Sequence, residues 1–275
     1  MERPRIRVRL LPSACDAHAP LQYANTFVLN GTVAIDAGSL GFNGSPRTQS
    51  RVRHVVLTHC HADHIASLPM LLINNALPGV DPIEVWGSAD TLDALRQHVF
   101  NDRIWPDLER IAPPGEPFVH FREFRPGEPF EVDGLVMTAV AVDHTVPTVG
   151  LLVEARGALD PEDPGHTAHT GHTTSLVIGG DSGPTDELWE RAGELEGLRA
   201  VFLEASYPER ELELAGLAKH LTPSLFAGEA RKLPAGVPMY AVHLKPAHQE
   251  VICAELRALG LDDLHIVEPG REYTF

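Results

Sequence analysis

The sequence predicts an α/β fold that forms one domain, and three observations lead to this prediction. Short β-branched runs alternate with segments of helical periodicity, which is typical of helices that cover the faces of sheets. The 275 residues are 43% hydrophobic and 22% charged, a globular composition that allows a sizeable core. No Ser/Gly linker and no block of charge divides the chain, so residues 1–275 are expected to form a single domain.

The first half of the chain is predicted to be rich in strands. Apolar runs at 5–11, 25–29 and 32–35 are separated by turns and indicate an antiparallel meander. The run at 53–57 predicts a strand that leads into a polar loop, and residues 65–76 have helical character despite Pro69. Gly and Pro turns separate the remaining elements of this half, which are strands at 83–86, 119–124, 130–132 and 135–142 and a helix at 90–100.

The second half continues the alternation of strands and helices. Residues 150–154 and 175–178 are expected to pair across a loop at 158–174 that is rich in Gly, His and Pro. The other predicted elements are strands at 200–204 and 239–243 and helices at 186–195, 223–232 and 250–259.

Charge and cysteine content narrow the functional classes. With 22 basic and 38 acidic residues the net charge is −16, which disfavours long nucleic acids because their binding depends on Lys and Arg. A small anionic ligand stays possible if the site supplies positive charge. Three scattered cysteines predict a reducing, cytoplasmic environment, and no apolar run approaches the ~20 residues that cross a bilayer, so we expect no membrane association.

The most informative feature is a cluster among the 15 histidines. His59, His61, Asp63 and His64 lie between a predicted strand and a predicted helix, so they should face one cavity. Imidazole and carboxylate groups bind Zn²⁺, Mn²⁺ or Fe, and this packed set is unusual for a merely polar loop. Further ligands are expected from other strand ends, where His144, Asp181 and His243 stand.

These residues form the pattern H-x-H-x-D-H followed by a distant His, an Asp and a last His, which resembles the metallo-β-lactamase superfamily. Five segments also resemble the class II cyclic-nucleotide phosphodiesterases, although Ala62 stands where that family usually carries Leu: HCHADHIASL at 59–68, HVFNDRIWPD at 98–107, FLEASYPER at 202–210, KHLTPSL at 219–225 and HLKP at 243–246. The resemblance extends from about Asp36 to Tyr273. It implies an αββα sandwich of two mixed sheets flanked by helices.

The resemblance also implies two divalent metal ions. Its ligand pattern assigns His59, His61 and His144 to one ion, Asp63, His64 and His243 to the other, and Asp181 to both. Zinc is the first expectation, and the same donors leave manganese and iron open. Two cations ~3.5–4 Å apart would reverse the local field, so that even this acidic chain could accept an anionic phosphodiester.

Three groups are expected to serve catalysis. Asp63 is one of them, as well as a ligand. Glu204 and His220 resemble the pair that tRNA 3′-processing endonucleases use beside their metals, where the Glu orients the His and the His serves the leaving group or the phosphate. A histidine at the start of a helix can also be a surface residue, so that alternative stays open for His220.

Three other features have weaker interpretations. Asn101, Trp105 and Pro106 could line a base pocket, but core packing of Trp105 is at least as well supported. His166, His169 and His172 could form a third metal site, although a solvated loop is favoured. Cys60 should pack away from the ligands that flank it.

The function expected from these observations is hydrolysis of 3′,5′-cyclic nucleotides (cAMP or cGMP) to 5′-monophosphates, by attack of a metal-held hydroxide on phosphorus. The partner is then a small cyclic nucleotide rather than a long nucleic acid. A homodimer is left open. Three alternatives remain: a tRNase Z-like nuclease, a lactonase or other ester hydrolase on the same scaffold, and a non-catalytic cyclic-nucleotide sensor.

Overall fold

The computed structural model describes residues 4–15, 20–76, 81–113, 115–156 and 173–275. The predicted histidine loop at 166–172 lies outside these residues. The chain divides into two compact units. We call Val8–Pro126 with Glu268–Glu272 the N-terminal unit, and Gly127–Val267 with the chain termini the C-terminal unit. The assignment of all residues to one domain stays a prediction.

A mixed sheet forms the centre of the N-terminal unit. Among the described residues its strand order is β16-β1-β4-β5-β6-β7-β8, antiparallel from β1 to β5 and parallel from β5 to β8. The strands are β1 (Arg7–Leu10), β4 (Phe27–Leu29), β5 (Val33–Ile35), β6 (His54–Val56), β7 (Ile83–Gly87), β8 (Val119–Glu123) and β16 (Glu272–Thr274), with β2 (Ala14–Cys15) and β3 (Pro20–Leu21) as a separate pair.

Helices cover this sheet because their apolar sides pack on its buried strands. The helices are α1 (Pro46–Gln49), α2 (Ala62–Ile65), α3 (Leu68–Asn75), α4 (Ala89–His98) and α5 (Leu108–Ile111), with one 3-10 turn at Leu40–Phe42. Leu71 of α3 and Leu95 of α4 are fully buried in one cluster with Val55 and Val85 of the sheet. Burial of side chains of this size contributes about 1.5–3 kcal/mol each.

The C-terminal unit is built on a second mixed sheet. Its strand order among the described residues is β15-β14-β13-β12-β11-β10-β9, antiparallel from β9 to β12 and parallel from β12 to β15. The strands are β9 (Pro129–Val132), β10 (Leu135–Val142), β11 (Thr148–Arg156), β12 (Thr173–Ile178), β13 (Leu198–Glu204), β14 (Met239–Val242) and β15 (Leu264–Ile266).

This second sheet is also flanked by helices. They are α6 (Glu187–Gly193), α7 (Leu212–Ala218), α8 (Pro223–Ala230) and α9 (Gln249–Ala258), with 3-10 turns at Glu209–Glu211 and Pro246–His248. Leu188 of α6, Phe226 of α8 and Ile252 of α9 are fully buried in a cluster with Val177 and Val201 of the sheet. The chain is therefore α/β with two mixed sheets flanked by helices, which confirms the predicted fold class.

Several element boundaries differ from the sequence prediction. The single helix expected at 65–76 is two helices, α2 and α3, and Pro69 lies in the first turn of α3, where its missing N–H costs no hydrogen bond. The short elements α1, α5, α7, β15 and β16 were not predicted. Within the described ranges, no helix is long and apolar enough to cross a membrane.

Candidate metal centre

The N-terminal unit carries four of the predicted ligands in one short segment after β6. The imidazole rings of His59 and His64 are fully buried, with centroids 4.1 Å apart, and the His61 ring is 4.7 Å from that of His59. Oδ2 of Asp63 lies 3.9 Å from Nε2 of His64. The segment thus brings its four predicted donors together, because α2 begins at Ala62 and turns Asp63 and His64 back towards the two preceding histidines.

Asp36, which the sequence reasoning did not single out, orients two of these imidazoles. Its carboxylate is buried and accepts hydrogen bonds from the Thr58 backbone N–H (2.8 Å), the Thr58 hydroxyl (2.9 Å) and Nδ1 of His64 (2.7 Å). Because the Thr58 hydroxyl gives its hydrogen to Asp36, it accepts one from Nδ1 of His59 at 3.0 Å. Both rings then carry the proton on Nδ1 and the lone pair on Nε2, the form in which histidine binds a metal.

Gly38 allows the backbone to approach this segment closely. A Cβ atom at Gly38 would stand 1.9 Å from the carbonyl oxygen of Asp63 and 2.6 Å from the backbone nitrogen of Asn25. The Asn25 N–H donates to that same carbonyl at 2.8 Å, and the Ala37 N–H donates to the His64 carbonyl at 2.7 Å. The segment of predicted ligands from His59 to His64 is therefore held in place by backbone hydrogen bonds that only glycine at position 38 permits.

The C-terminal unit carries the other three predicted ligands at the ends of β10, β12 and β14. His144, Asp181 and His243 are all at least 94% buried. Nε2 of His243 lies 3.1 Å from Oδ2 of Asp181. Gly180, at φ +67°, makes the turn that presents Asp181, since a Cβ there would stand 2.7 Å from the Val149 carbonyl oxygen. This unit therefore also brings its predicted ligands to one end of its sheet.

Glu204 and His220 form a buried pair in the same unit. Oε1 of Glu204 accepts from Nδ1 of His220 at 2.6 Å and from the Ser182 N–H at 2.9 Å, and Oε2 accepts from the Leu221 N–H at 3.2 Å. The carboxylate thus fixes the His220 ring with its Nδ1 proton towards Glu204. His144, Asp181 and His220 offer ligand atoms within 4.8 Å of one another. His220 is therefore not an isolated surface histidine, and its assignment as a group that does not bind metal stays a prediction.

Lys219 contacts His144 through both its backbone and its side chain. Its backbone carbonyl accepts from Nδ1 of His144 at 3.1 Å, while its ammonium donates to Oδ1 of Asp143 at 2.6 Å and to the His144 carbonyl at 3.1 Å. Lys219, His243 and Asp36 all have positive φ, of 54°, 57° and 60°. A lysine or histidine seldom adopts this conformation, and such backbone strain is concentrated at functional sites.

The weaker predictions have ordinary structural explanations. Trp105 packs against the apolar cluster of the N-terminal unit, and the Asn101 side chain accepts hydrogen bonds from the Arg103 and Ile104 N–H groups of a turn. Burial raises the pKa of the Cys60 thiol. A protonated thiol is a poor metal ligand, in keeping with the prediction that Cys60 is packed.

The donor chemistry fits divalent metal ions. Each unit offers imidazole nitrogens with a hydrogen-bonded partner behind the ring, together with carboxylate oxygens, which suits zinc, manganese or iron. The groups behind the rings escaped the sequence analysis because a carbonyl such as that of Lys219 has no sequence pattern. Asp36 had one weak signal, its place at the end of a predicted strand.

Comparison with known proteins identifies relatives along most of the chain. The profile of a family described as "Beta-lactamase superfamily domain" matches residues 33–244. A ribonuclease Z of Mycobacterium marinum is 30% identical over 61% of this chain and 55% of its own length. A 3′,5′-cyclic-nucleotide phosphodiesterase of Schizosaccharomyces pombe is 32% identical over 29% of this chain and 21% of its own length. The chain thus matches about half or less of the length of these relatives.

Solved structures share the fold. Unliganded yeast PDE1 aligns with a TM-score of 0.75 over 97% of this chain and 98% of its own, at 18% identity. This likeness establishes the architecture of the chain, whereas the substrate has to be argued from the residues of the site.

Proposed function

Because the chain belongs to the beta-lactamase superfamily, we propose that it is a metal-dependent phosphodiesterase that hydrolyses 3′,5′-cyclic nucleotides to 5′-monophosphates. The observation that supports cleavage of a phosphodiester is the buried Glu204–His220 pair, which lies among the predicted ligands of the C-terminal unit. An oriented imidazole is the group that a sugar oxygen needs in order to leave phosphorus.

We further propose that two divalent ions are held by the seven predicted ligands. His59, His61 and His144 would hold one, Asp63, His64 and His243 the other, and Asp181 both. Neither unit alone offers enough donors for two ions. When bound, such ions activate water and offset the negative charge of a phosphoryl group. Zinc is proposed first, and the same donors also suit manganese and iron.

The residues of the chain have separate roles in this reaction. Asp36 and the Lys219 carbonyl hold imidazole rings in the ligand tautomer. Glu204 accepts the Nδ1 proton of His220 and would stabilise the doubly protonated imidazolium, which gives its Nε2 proton to the departing 3′-oxygen and returns to the neutral ring. General-acid assistance of this kind is typically worth ~10²–10⁴-fold in rate.

The choice of a cyclic nucleotide over a long RNA depends on charge. With a net charge of −16, the chain has few cations for a polyanion, which favours a small substrate. A cytoplasmic location is proposed separately, from the three scattered cysteines. The alternative is a ribonuclease Z-like nuclease, and the longer match to the Mycobacterium marinum ribonuclease Z favours it. Both reactions cleave a phosphodiester, so the substrate must be measured.

A substrate panel tests the proposal. Purified metal-loaded protein would be assayed on cAMP, cGMP and pre-tRNA between about 50 and 200 mM salt, where phosphate contacts weaken most visibly. We expect efficient, nearly salt-independent turnover of a cyclic nucleotide and little cleavage of pre-tRNA. Efficient pre-tRNA cleavage with a steep salt dependence would replace the proposal with the nuclease alternative.

The role of His220 is tested by changing the leaving group. His220→Ala should keep both metals and slow cAMP hydrolysis strongly, yet slow bis(4-nitrophenyl) phosphate hydrolysis much less, since nitrophenolate leaves without a proton. Equal losses on both substrates would assign His220 to phosphate binding, and loss of metal would make it a ligand.

A further inference from the structure

Two side chains outside the ligand set meet beside His220. Strands β13 and β14 are parallel neighbours, with Glu204 opposite Val242 in the register, so the segments that follow them run side by side. Tyr207 and Lys245 each stand three residues beyond these positions. The Lys245 ammonium lies 4.7 Å from the centroid of the Tyr207 ring, and the same ring lies 5.6 Å from that of His220.

Lys245 differs from the other lysines in its partners. The chain contains three lysines. Lys219 is paired with Asp143 at 2.6 Å, and Lys232 is paired with Asp186 and Glu229 at 2.7 and 2.8 Å. Lys245 is half-buried, and no carboxylate of the described residues lies within 4.0 Å of its ammonium. Lys245 is therefore the one lysine of the described residues whose charge no carboxylate offsets.

The Tyr207 ring holds this cation without neutralising it. The face of an aromatic ring attracts an ammonium group but carries no net charge, so the positive charge stays available to an anion. The hydroxyl of Ser206 donates to the His243 carbonyl at 2.9 Å, and Pro246 fixes the backbone just after Lys245. The ammonium is therefore held in place beside the candidate proton donor.

We propose that Lys245, seated on Tyr207, binds the phosphate group of the nucleotide. This inference rests on the proposed function. A cyclic phosphodiester carries one negative charge, and hydrolysis of its P–O3′ bond gives a monoester that carries about two near neutral pH. A fixed ammonium therefore binds the opened product, and the charge that develops on the way to it, more strongly than the cyclic substrate.

The test compares anion affinity among variants of the full chain. The variants are Lys245→Gln, Lys245→Arg, Tyr207→Leu and Tyr207→Phe, with Lys232→Gln as a matched control that also removes a lysine charge. Inhibition by 5′-AMP and binding of inorganic phosphate and adenosine would be measured for each, together with metal content. A lost charge-assisted hydrogen bond predicts that Lys245→Gln weakens 5′-AMP and phosphate about 10-fold or more.

The expected pattern is specific to a charge beside phosphate. In Lys245→Gln the inhibition constant of 5′-AMP should rise more than the KM for cAMP, while adenosine binding and metal content stay unchanged. Lys245→Arg and Tyr207→Phe should restore most of the affinity, Tyr207→Leu should lower it, and Lys232→Gln should leave it unchanged. Unchanged phosphate affinity in Lys245→Gln, or an equal loss in Lys232→Gln, would overturn the inference.

Failure of the proposed function would look different. If the wild-type protein hydrolysed no cyclic nucleotide but bound phosphate in a manner that Lys245→Gln abolished, the phosphate site would stand and the substrate assignment would fall. If it hydrolysed cAMP and Lys245→Gln left both KM and the 5′-AMP inhibition constant unchanged, the substrate assignment would stand and the phosphate site at Lys245 would fall.

Discussion

Asp36→Asn should lower metal affinity without disturbing the backbone. Asparagine tolerates the positive φ of 60° at this position, so the turn itself can be kept. The amide, however, has one acceptor oxygen where the carboxylate has two. In the wild type the Thr58 N–H lies 2.8 Å from Oδ1 and Nδ1 of His64 lies 2.7 Å from Oδ2. Whichever way the amide is placed, its NH₂ group faces one of these two donors. One donor is left opposite another, or the His64 proton moves to Nε2 and removes the metal-binding lone pair.

The size of the effect follows from these contacts. A hydrogen bond to a charged group contributes about 1.5–3 kcal/mol, and an unsatisfied buried donor costs about 1–3 kcal/mol. Loss of a partner behind a metal-ligating histidine typically lowers metal affinity about 10–100-fold. We therefore expect a loss of that size in affinity for the ion that His64 is proposed to hold, with a modest decrease in the free energy of unfolding of the metal-free protein.

The assay is a competition with a chelator of known affinity, followed by metal analysis of the recovered protein. Asp133→Asn is the matched control, because Asp133 has a φ of 48° and lies in the exposed turn between β9 and β10. The control should retain metal as the wild type does. Equal metal affinity in Asp36→Asn and wild type would refute the proposed orientation of His64 by Asp36.

Two further predictions concern the lysine contacts. Asp143→Ala removes the carboxylate that holds the Lys219 ammonium. Because the pair is exposed, the free energy of unfolding should change by less than about 1 kcal/mol. Metal should nevertheless be lost at a lower chelator concentration, because the Lys219 carbonyl that accepts from His144 is less firmly placed. Unchanged metal retention would contradict this. For Lys232, burial lowers the pKa, but hydrogen bonds to Asp186 and Glu229 outweigh it and raise the pKa above 10.5. The stability that this raised pKa contributes is therefore fully present below the ordinary lysine pKa and is lost as the pH rises through the folded value. From pH 9 to 12 the free energy of unfolding should fall less steeply in Lys232→Gln than in the wild type, and equal slopes would contradict the assignment.

The sequence was most informative where residue type and local periodicity coincide. Val33, Val55 and Val85 lie in strands that were predicted from short β-branched runs, and these strands form the centre of the first sheet. The segment of predicted ligands was equally easy to recognise in the sequence, because His59 to His64 combine an unusual residue type with close spacing. Features of this kind can be predicted from neighbouring residues alone, without knowledge of tertiary contacts.

Groups that act through long-range contacts could not be predicted. The Lys219 carbonyl meets His144 across 75 residues, and Tyr207 meets Lys245 across the ends of two parallel strands. Short elements such as α5 were also missed, although Asp107 caps it by accepting from the Glu109 and Arg110 N–H groups. A helix of four residues contains too few positions for its periodicity to be recognised.

The most direct test of the central claim is the fate of oxygen from water during hydrolysis of cAMP. The metal-loaded protein would be incubated with cAMP in ¹⁸O-labelled water, and the product would be analysed by mass spectrometry and phosphorus NMR. The proposed reaction predicts 5′-AMP with one ¹⁸O atom on phosphorus and an unlabelled 3′-hydroxyl. Formation of 3′-AMP, label on the ribose, or unchanged cAMP would contradict the assignment of this chain as a 3′,5′-cyclic-nucleotide phosphodiesterase.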